Sequence, residues 1–349
     1  MPLYESGESA IQGKENVVKL SANENMNGPC NEVLNQFAYH SKNIFEYPDS
    51  SHYALRYKIG EVHNIDPNRI ICGAGSDEII QLLCRCFCEK NDEVIYTEHG
   101  FLMYKLSALA AGAKPVKVKE NNRSASIENI SAAVTSRTKI IFLANPNNPT
   151  GTMISDKEIE HLLHKIPNNI LLVLDGAYSE YVDYSDGGIS LVNKFSNLFM
   201  TRTFSKIFGL GGLRVGWGFG AKDIIDILNS VRSPFNVSSL GLKMAELSIE
   251  DVNFVIKQRE LNKENRDTLR NRLLNLGLSI DKSFANFLLL RFATEEQANT
   301  IDLFLREKGF ILRKVGSYGL PNCLRLSIGN KDICERLYLA LVEYFDKNE

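Results

Sequence analysis

The alternation of short apolar runs with helical patterns is the feature that most restricts the fold of this 349-residue chain. Strand-like runs cover residues 69–72, 93–97, 114–118, 138–143, 170–175, 198–202 and 215–220. Helical patterns lie between them at 76–90, 104–111, 127–133 and 156–165. Strands that alternate with helices predict an α/β fold with a mostly parallel sheet sandwiched by helices. The nearly continuous apolar run at 170–174 is typical of a strand that is covered on both faces.

The character of the sequence changes after residue 236. Residues 237 to about 275 read as one long charged helix, rich in Lys, Glu and Arg. Strand-like runs follow at 287–291, 311–314 and 324–328, with helical patterns near 295–308 and at the C-terminus. This order predicts a second, smaller α+β domain that is joined to the first through one long helix.

Charge and hydropathy exclude two classes of partner. The formal net charge is −2, so no strong positive field attracts nucleic acid or an anionic membrane surface. The apolar runs are far too short to cross a bilayer, and the N-terminus lacks a basic region followed by an apolar stretch. We therefore expect a cytoplasmic protein that binds neither nucleic acid nor membrane.

Cysteine usage favours reduced thiols over disulfides or a metal site. The chain has seven cysteines, an odd number. Cys84 and Cys88 could share one helix face, but no clear Cys or His partner lies nearby in sequence. Free cysteines usually pack as small apolar side chains, so we expect buried thiols and no metal.

The segment 201–206, which reads Thr-Arg-Thr-Phe-Ser-Lys, carries the strongest chemical signal. A lysine amine can form a Schiff base with an aldehyde, and Lys206 lies among apolar residues and glycines that suit a partly buried turn. Ser205 and Arg214 could hold a phosphate through a hydroxyl and a guanidinium fork. Pyridoxal 5'-phosphate (PLP) offers both an aldehyde and a phosphate, so the segment predicts a PLP site.

Polar residues follow two of the predicted strands. Asp175 ends the run at 170–175, where α/β sheets place ligand-binding residues, and its carboxylate could bind a protonated pyridine nitrogen. A helix N-cap is the competing interpretation of Asp175. Tyr178 could reach the phenolic oxygen of the ring, and so could the amide of Asn148 in the segment 145–151. That Pro-rich segment is equally well explained as a plain turn.

Two further signals follow strands. Gly75, Ser76 and Asp77 begin a predicted helix, and the backbone amides of such a helix start favour a phosphate. Ser76 or Asp77 could equally serve as an ordinary N-cap. Phe101 follows the next strand and could stack on a planar ring, although a single phenylalanine is more often part of the core.

Two arginines interrupt apolar stretches of sequence in the second domain. Arg313 and Arg325 lie in strand-like runs, and an arginine in that setting implies an acidic partner or an anionic ligand. A salt bridge to a local acid remains the alternative for each of them.

The order of Asn148, Asp175, Tyr178, Ser205-Lys206, Arg214 and Arg325 resembles the fold-type I PLP-dependent aminotransferases, the aspartate aminotransferase superfamily. Within it, four segments are similar to the histidinol-phosphate aminotransferase subfamily, namely 21–25 (Ser-Ala-Asn-Glu-Asn), 47–49 (Tyr-Pro-Asp), 202–206 and 232–236 (Arg-Ser-Pro-Phe-Asn). The resemblance implies an N-terminal arm at 1–24 that packs with the small domain, a large PLP-binding domain at 25–236 and a small C-terminal domain at 237–349.

The resemblance also implies a role for each motif residue. Lys206 would be the Schiff-base lysine and proton shuttle, and Asp175 would hold the pyridine nitrogen. The other expected cofactor contacts are Gly75, Ser76, Asp77, Phe101, Asn148, Tyr178, Ser205 and Arg214, with Tyr47 reaching the cofactor of the neighbouring subunit in a homodimer with shared active sites. The expected substrate contacts are Arg325 for the carboxylate, Arg313 and Tyr4 for a phosphate, and Asn23 nearby.

The activity implied is a ping-pong transamination between an amino donor and a 2-oxo acid, with histidinol phosphate and 2-oxoglutarate as the expected pair in histidine biosynthesis. The alternatives are a threonine-phosphate decarboxylase-like lyase and an aromatic or broad-range aminotransferase. The chain departs from the pattern of many relatives at Gly176, where an acid is usual, and at Leu3, where a proline often precedes the tyrosine.

Overall fold

The computed structural model describes residues 7–347. Within them the strands are β1 (Val18–Lys19), β2 (Ile70–Gly73), β3 (Glu93–Thr97), β4 (Lys114–Val118), β5 (Thr138–Ala144), β6 (Leu171–Asp175), β7 (Leu198–Thr203), β8 (Gly216–Phe219), β9 (Ser279–Ile280), β10 (Phe287–Arg291), β11 (Phe310–Ile311), β12 (Arg313–Val315) and β13 (Leu320–Ser327). The α-helices are α1 (Asn31–His40), α2 (Tyr53–His63), α3 (Ser76–Phe87), α4 (Leu102–Ala110), α5 (Ile127–Ala132), α6 (Asp156–Lys165), α7 (Ile189–Lys194), α8 (Lys222–Val231), α9 (Ser239–Glu250), α10 (Val252–Asn275), α11 (Glu295–Glu307) and α12 (Lys331–Asp346).

A seven-stranded sheet with the order β2-β8-β7-β6-β5-β3-β4 forms the centre of the larger part. The strands from β7 to β4 pair in parallel, whereas β8 is antiparallel to both β2 and β7. Each of the seven apolar runs between residues 69 and 220 becomes one of these strands. The prediction of an α/β fold with a mostly parallel sheet is therefore confirmed.

Successive residues of the central strands are buried on opposite faces of this sheet. In β6, Leu172 and Leu174 belong to one apolar core, whereas Leu171 and Val173 belong to another. All four side chains are buried because helices cover both faces. Burial of each such side chain stabilises the folded state by roughly 1.5–3 kcal/mol. The sheet is therefore a stable support for the loops at its edge.

The chain leaves β5, β6 and β7 at one edge of the sheet, since these strands are parallel neighbours. The segments that follow them begin at Asn145, Gly176 and Phe204. The loop after β2 opens at the same edge, because β2 and β7 are both antiparallel to β8, which lies between them. Ligand sites in open α/β sheets form where such loops meet.

A four-stranded antiparallel sheet with the order β12-β13-β10-β9 forms the second part. Near the N-terminus, β1 pairs in parallel with β11, and Leu20 is buried in the core beneath the second sheet. The division into an arm at 1–24, a large domain at 25–236 and a small domain at 237–349 stays a prediction. Helix α9, which follows residue 236, packs against α1 and α2 and contributes Leu242 and Met244 to a core of the first sheet.

The prediction of one long helix from 237 to about 275 is wrong, because the structure has two helices that meet at Asp251. The backbone of Asp251 is not helical (φ −82°, ψ 71°), and its carboxylate accepts a hydrogen bond from the Phe254 amide. An aspartate that caps a new helix in this way ends the preceding one. In the same manner, the Ser238 hydroxyl caps α9.

Among residues 7–347, no helix combines the length and the apolar character needed to cross a membrane. All seven cysteines are free, and all except Cys86 are buried. Within the same described part of the chain, no group of three or more His, Cys, Asp and Glu side chains is arranged to bind a metal ion.

Candidate active site

A cavity of about 350 Å³ opens at the sheet edge where the loops after β2, β5, β6 and β7 meet. It extends to β12 and β13 of the second sheet and to the segment that precedes β1. Of the residues expected to contact cofactor or substrate, the structure places the following in its wall: Asn23, Ser76, Asp77, Phe101, Asn148, Asp175, Tyr178, Ser205, Lys206, Arg214, Arg313 and Arg325.

Lys206 lies in the turn after β7, between the fully buried side chains of Phe204 and Ile207. These anchors fix the turn against the core and direct the Lys206 side chain into the cavity. Its Nζ donates a hydrogen bond to the Ala22 carbonyl over 3.0 Å. Burial, reinforced by the positive charge of Arg325, lowers the pKa of Lys206 to about 8. Such an amine is partly neutral near pH 8, and only the neutral amine is a nucleophile.

The pKa of Lys206 predicts a pH dependence for the reaction of its amine with an aldehyde. Because the neutral fraction increases with pH, the rate at which PLP modifies the apoprotein should rise about tenfold per pH unit below 8 and level off above it. Arg325→Gln removes a positive charge that lowers this pKa, so the pH at which the reaction rate is half-maximal should increase. Stopped-flow absorbance over a pH series measures both, with Arg336→Gln on the exposed face of α12 as the control. A rate that does not change between pH 6 and 9 would refute the lowered pKa.

Asp175 ends β6 inside the cavity, and its carboxylate is buried. One oxygen, Oδ2, accepts a hydrogen bond from the Tyr104 phenol over 2.6 Å. The other, Oδ1, accepts from the Ala177 amide at 3.1 Å and from the Thr201 hydroxyl at 3.2 Å. Burial raises the pKa of Asp175, and these hydrogen bonds oppose the increase. The carboxylate is thus held in one orientation, ready to bind a cationic ring nitrogen.

Three groups of hydrogen-bond donors surround the start of α3. Gly75 is the N-cap of this helix and provides no side-chain hydrogen bond to it, so the first amides are open to a ligand. The Arg214 guanidinium donates to the Ser205 hydroxyl at 3.2 Å and lies 3.4 Å from the Asp77 carboxylate. Amides, hydroxyl and guanidinium together form a donor set that suits a phosphate.

Gly75 is required by this arrangement because its φ is +81° and a Cβ there would lie 2.4 Å from Nη2 of Arg214. Gly75→Ala should therefore displace the guanidinium and weaken PLP binding roughly tenfold. The matched control is Gly212→Ala in the neighbouring loop, where a Cβ would meet nothing within 4 Å. Titration of the two apoproteins with PLP tests the prediction, and equal affinities for both variants would contradict it.

Tyr178 and Asn148 contact residues that come from the second part of the chain or its N-terminal segment. The Tyr178 phenol accepts a hydrogen bond from Asn23 Nδ2 at 2.9 Å, so its own proton remains available for a further acceptor. Arg325 donates to the Asn148 side-chain oxygen and, over 2.6 Å, to the Ser21 carbonyl. Asn23 is thus engaged with Tyr178, and its expected proximity to a substrate phosphate stays a prediction.

Arg313 and Arg325 are directly opposite each other in the antiparallel pair of β12 and β13. Both side chains are buried, and both line the cavity. Both guanidinium groups could therefore donate to an anion in the cavity.

Three expected contacts and one departure from the family pattern need separate comment. Gly75 caps α3 but is not among the residues that line the cavity. Tyr47 does not line the cavity: it is 82% exposed and stacks on Phe235 with the ring centroids 4.7 Å apart. Tyr4 lies outside the described residues. Gly176 fits a tight turn, since a Cβ there would lie 2.5 Å from the Ser179 hydroxyl.

Sequence reasoning missed several residues of the cavity wall. Tyr104 is the most important of them because it donates to Asp175. It begins the predicted helix at 104–111, and extending that helix back to Phe101 would have placed both side chains on one face. Tyr318 and Thr203 also line the cavity, as does Lys19, which pairs with Glu24 at 2.7 Å. No sequence pattern distinguishes Tyr318 from a core tyrosine.

Comparisons with known proteins identify the family of this chain. A family model described as aminotransferase class I and II matches residues 15–341. The chain is 48% identical over 342 residues to the histidinol-phosphate aminotransferase of Ruegeria sp. (strain TM1040), covering 98% of this chain and 94% of the relative. It is also 48% identical over 342 residues to the histidinol-phosphate aminotransferase of Paracoccus denitrificans (strain Pd 1222), covering 98% and 93%.

Two solved structures share the fold. The histidinol-phosphate aminotransferase from Sinorhizobium meliloti, in complex with pyridoxal-5'-phosphate, superposes with a TM-score of 0.91 at 23% identity, covering 97% of this chain and 93% of that one. The L-threonine-O-3-phosphate decarboxylase from Porphyromonas gingivalis has a TM-score of 0.82 at 21% identity, covering 95% and 100%. The same fold therefore occurs in proteins named for two different reactions.

Proposed function

The chain belongs to the aminotransferase class I and II family, and we propose that it transfers the amino group of histidinol phosphate to 2-oxoglutarate. Members of this family are PLP-dependent enzymes that exchange an amino group between a small amino donor and a 2-oxo acid. The products here are imidazole acetol phosphate and glutamate, in a step of histidine biosynthesis. A cytoplasmic location stays a prediction.

The cross-strand pair of Arg313 and Arg325 is the observation that carries the choice of substrates. Each substrate is anionic, one through its phosphate and the other through its carboxylates. Two guanidinium groups in a buried wall suit both kinds of anion, because each can donate a bidentate fork. The two relatives at 48% identity that are named for histidinol phosphate support the same choice.

The residues at the start of α3 and after β6 and β7 fit the groups of PLP. The amides that follow Gly75, the Ser205 hydroxyl and the Arg214 guanidinium match a phosphate, and a side chain at Gly75 would fill that cradle. Asp175 matches a pyridine nitrogen. The residues that would hold PLP are Gly75, Ser76, Asp77, Phe101, Asn148, Asp175, Tyr178, Ser205, Lys206 and Arg214.

PLP, when bound, supplies an aldehyde that amines attack and a ring that withdraws electrons from the substrate α-carbon. Lys206 Nζ would hold the aldehyde carbon of PLP and would be the base that accepts the proton of the substrate α-carbon. Asp175 would keep the ring nitrogen protonated. The Tyr178 phenol would donate its free proton to the phenolic oxygen of the ring, with Asn23 holding the phenol in place.

The test is an assay of the PLP-loaded enzyme with 2-oxoglutarate and each of three donors: histidinol phosphate, histidinol and threonine phosphate. Glutamate should form from histidinol phosphate with a kcat/KM at least about tenfold above that for histidinol, since the phosphate adds charge-assisted hydrogen bonds. Release of carbon dioxide from threonine phosphate without glutamate formation would overturn the proposal in favour of a lyase.

A homodimer with shared active sites is part of the same proposal. Tyr47 stacks on Phe235 and lies in the segment between α1 and α2, where large apolar side chains are exposed as they are on surfaces that subunits cover. The other exposed apolar residues of α1, α2 and this segment are Leu34, Phe37, Tyr39, Ile44, Phe45, Tyr53 and Tyr57. Tyr47 would then contact the cofactor phosphate of the partner subunit.

Mixing two weak variants tests this arrangement. A Tyr47→Ala subunit retains Lys206, and a Lys206→Ala subunit retains Tyr47, so a hybrid dimer holds one complete site. Refolding the two variants together should restore roughly a quarter of the wild-type rate, since about half of the dimers are hybrids with one of two sites intact. No gain above the separate variants, with dimers verified by sedimentation, would show that Tyr47 does not act across subunits.

A further inference from the structure

We propose that Tyr104 is a positioning residue for the reaction: its phenol holds the Asp175 carboxylate in the orientation that receives the cofactor's ring nitrogen. This inference rests on the proposed PLP site and names a residue that none of the motifs contains. Tyr104 acts through Asp175, and its effect is on cofactor binding and on the ionisation of that carboxylate.

Tyr104 is itself held rigidly. It lies in the first turn of α4, and its side chain is fully buried. Its ring stacks on Phe142 with centroids 4.7 Å apart and an interplanar angle of 2°, and Phe101 meets it edge-on at 5.8 Å. Aromatic contacts on two sides leave the ring little freedom. The phenol oxygen is therefore a fixed donor at 2.6 Å from Asp175 Oδ2.

The two carboxylate oxygens of Asp175 accept different numbers of hydrogen bonds. Oδ1 has two donors, the Ala177 amide and the Thr201 hydroxyl. Within residues 7–347, Oδ2 has one donor, which is Tyr104. Removing the Tyr104 hydroxyl thus leaves one oxygen of a buried carboxylate without a partner, and a hydrogen bond to a charged group is stronger than one between neutral groups.

The ionisable neighbours of Asp175 make this bond important. Asp77 on α3 is a second negative charge, and Tyr178 after β6 is a neutral phenol, so neither stabilises the carboxylate as a cation would. Burial raises the pKa of Asp175, and the Tyr104 hydrogen bond is the largest influence that lowers it. Without Tyr104, Asp175 should accept a proton at higher pH and lose the charge that binds a pyridinium ring.

The experiment compares Tyr104→Phe with Tyr96→Phe. Tyr96 is a buried tyrosine of β3 in the same apolar core, and its hydroxyl does not contact Asp175. PLP is titrated into each apoprotein by fluorescence quenching across a pH series. We expect Tyr104→Phe to raise the Kd for PLP at least about tenfold. The pH below which PLP binding weakens should also rise by about one unit. Tyr96→Phe should leave both values within twofold of the wild type.

A double-mutant cycle with Asp175→Asn separates positioning from packing. If Tyr104 acts through the carboxylate charge, adding Tyr104→Phe to Asp175→Asn should change the Kd by less than twofold. The inference would be overturned if Tyr104→Phe and the wild type had the same Kd for PLP and the same pH dependence of binding. It would also be overturned if Tyr104→Phe weakened PLP binding equally in the wild-type and Asp175→Asn backgrounds. Failure of the wild-type protein to bind PLP would instead reject the proposed function.

Discussion

Replacement of Lys206 by alanine is expected to lower kcat by at least about 10³-fold, the largest effect of any single substitution in this chain. In the proposed mechanism, the substitution removes both the amine that binds the aldehyde and the base that accepts the substrate α-proton. Tyr178 is a poor replacement because burial raises the pKa of its phenol, and Lys19 in the cavity wall is engaged in an ion pair with Glu24. The measurement is the single-turnover rate of glutamate formation, together with the visible absorbance of the PLP-loaded protein.

Lys222→Ala is the matched control for this substitution. Lys222 is an exposed lysine of α8 that pairs with Asp226, so its loss changes charge by the same amount without touching the cavity. Lys222→Ala should retain wild-type kcat and absorbance. If Lys206→Ala retained turnover and the same absorbance band, the assignment of Lys206 would be wrong.

Asp175→Asn is expected to lower kcat about 10²–10³-fold, which corresponds to the roughly 3–4 kcal/mol that truncating one partner of a buried charge pair costs. Asparagine keeps the shape of the side chain and its acceptor for the Ala177 amide, but it carries no charge to hold a protonated ring nitrogen. The KM for 2-oxoglutarate should change little, because Arg313 and Arg325 remain in place. Steady-state kinetics with saturating PLP measure both quantities.

Asp156→Asn provides the comparison for Asp175→Asn. Burial also raises the pKa of Asp156, but its carboxylate accepts from the Ser185 hydroxyl and lies outside the active-site cavity. The Asp156→Asn variant should therefore have wild-type kcat and KM. A kcat for Asp175→Asn within threefold of the wild type would mean that the ring nitrogen needs no carboxylate, and the mechanism would have to be revised.

The central strands of the first sheet were predictable because they are apolar on both faces. In β6 every position before Asp175 is apolar, so its sequence differs sharply from that of the helices on either side. The join between α9 and α10 was not predictable in this way. Asp251 follows Glu250 and is not marked by a proline or glycine, and only the tertiary structure shows that its carboxylate caps a helix.

The same difference between strand positions and tertiary contacts explains which site residues could be predicted. Lys206, Asp175 and Asn148 follow strand ends, so their positions could be inferred from strand assignment and chemistry together. Tyr104 was missed because a tyrosine in an apolar helix is usually a core residue, and only the 2.6 Å contact with Asp175 distinguishes it. The face-to-face placement of Arg313 and Arg325 depends on the register of β12 against β13, which the sequence does not specify.

The central claim is that Lys206 is the residue to which PLP is attached, and reductive trapping tests it most directly. The PLP-loaded protein is treated with borohydride, digested and mapped by mass spectrometry. The account predicts a single pyridoxyl modification, on the peptide that contains Lys206, and its loss in Lys206→Ala but not in Lys222→Ala. A modification on any other lysine, or none at all in a protein that has bound PLP, would contradict the account.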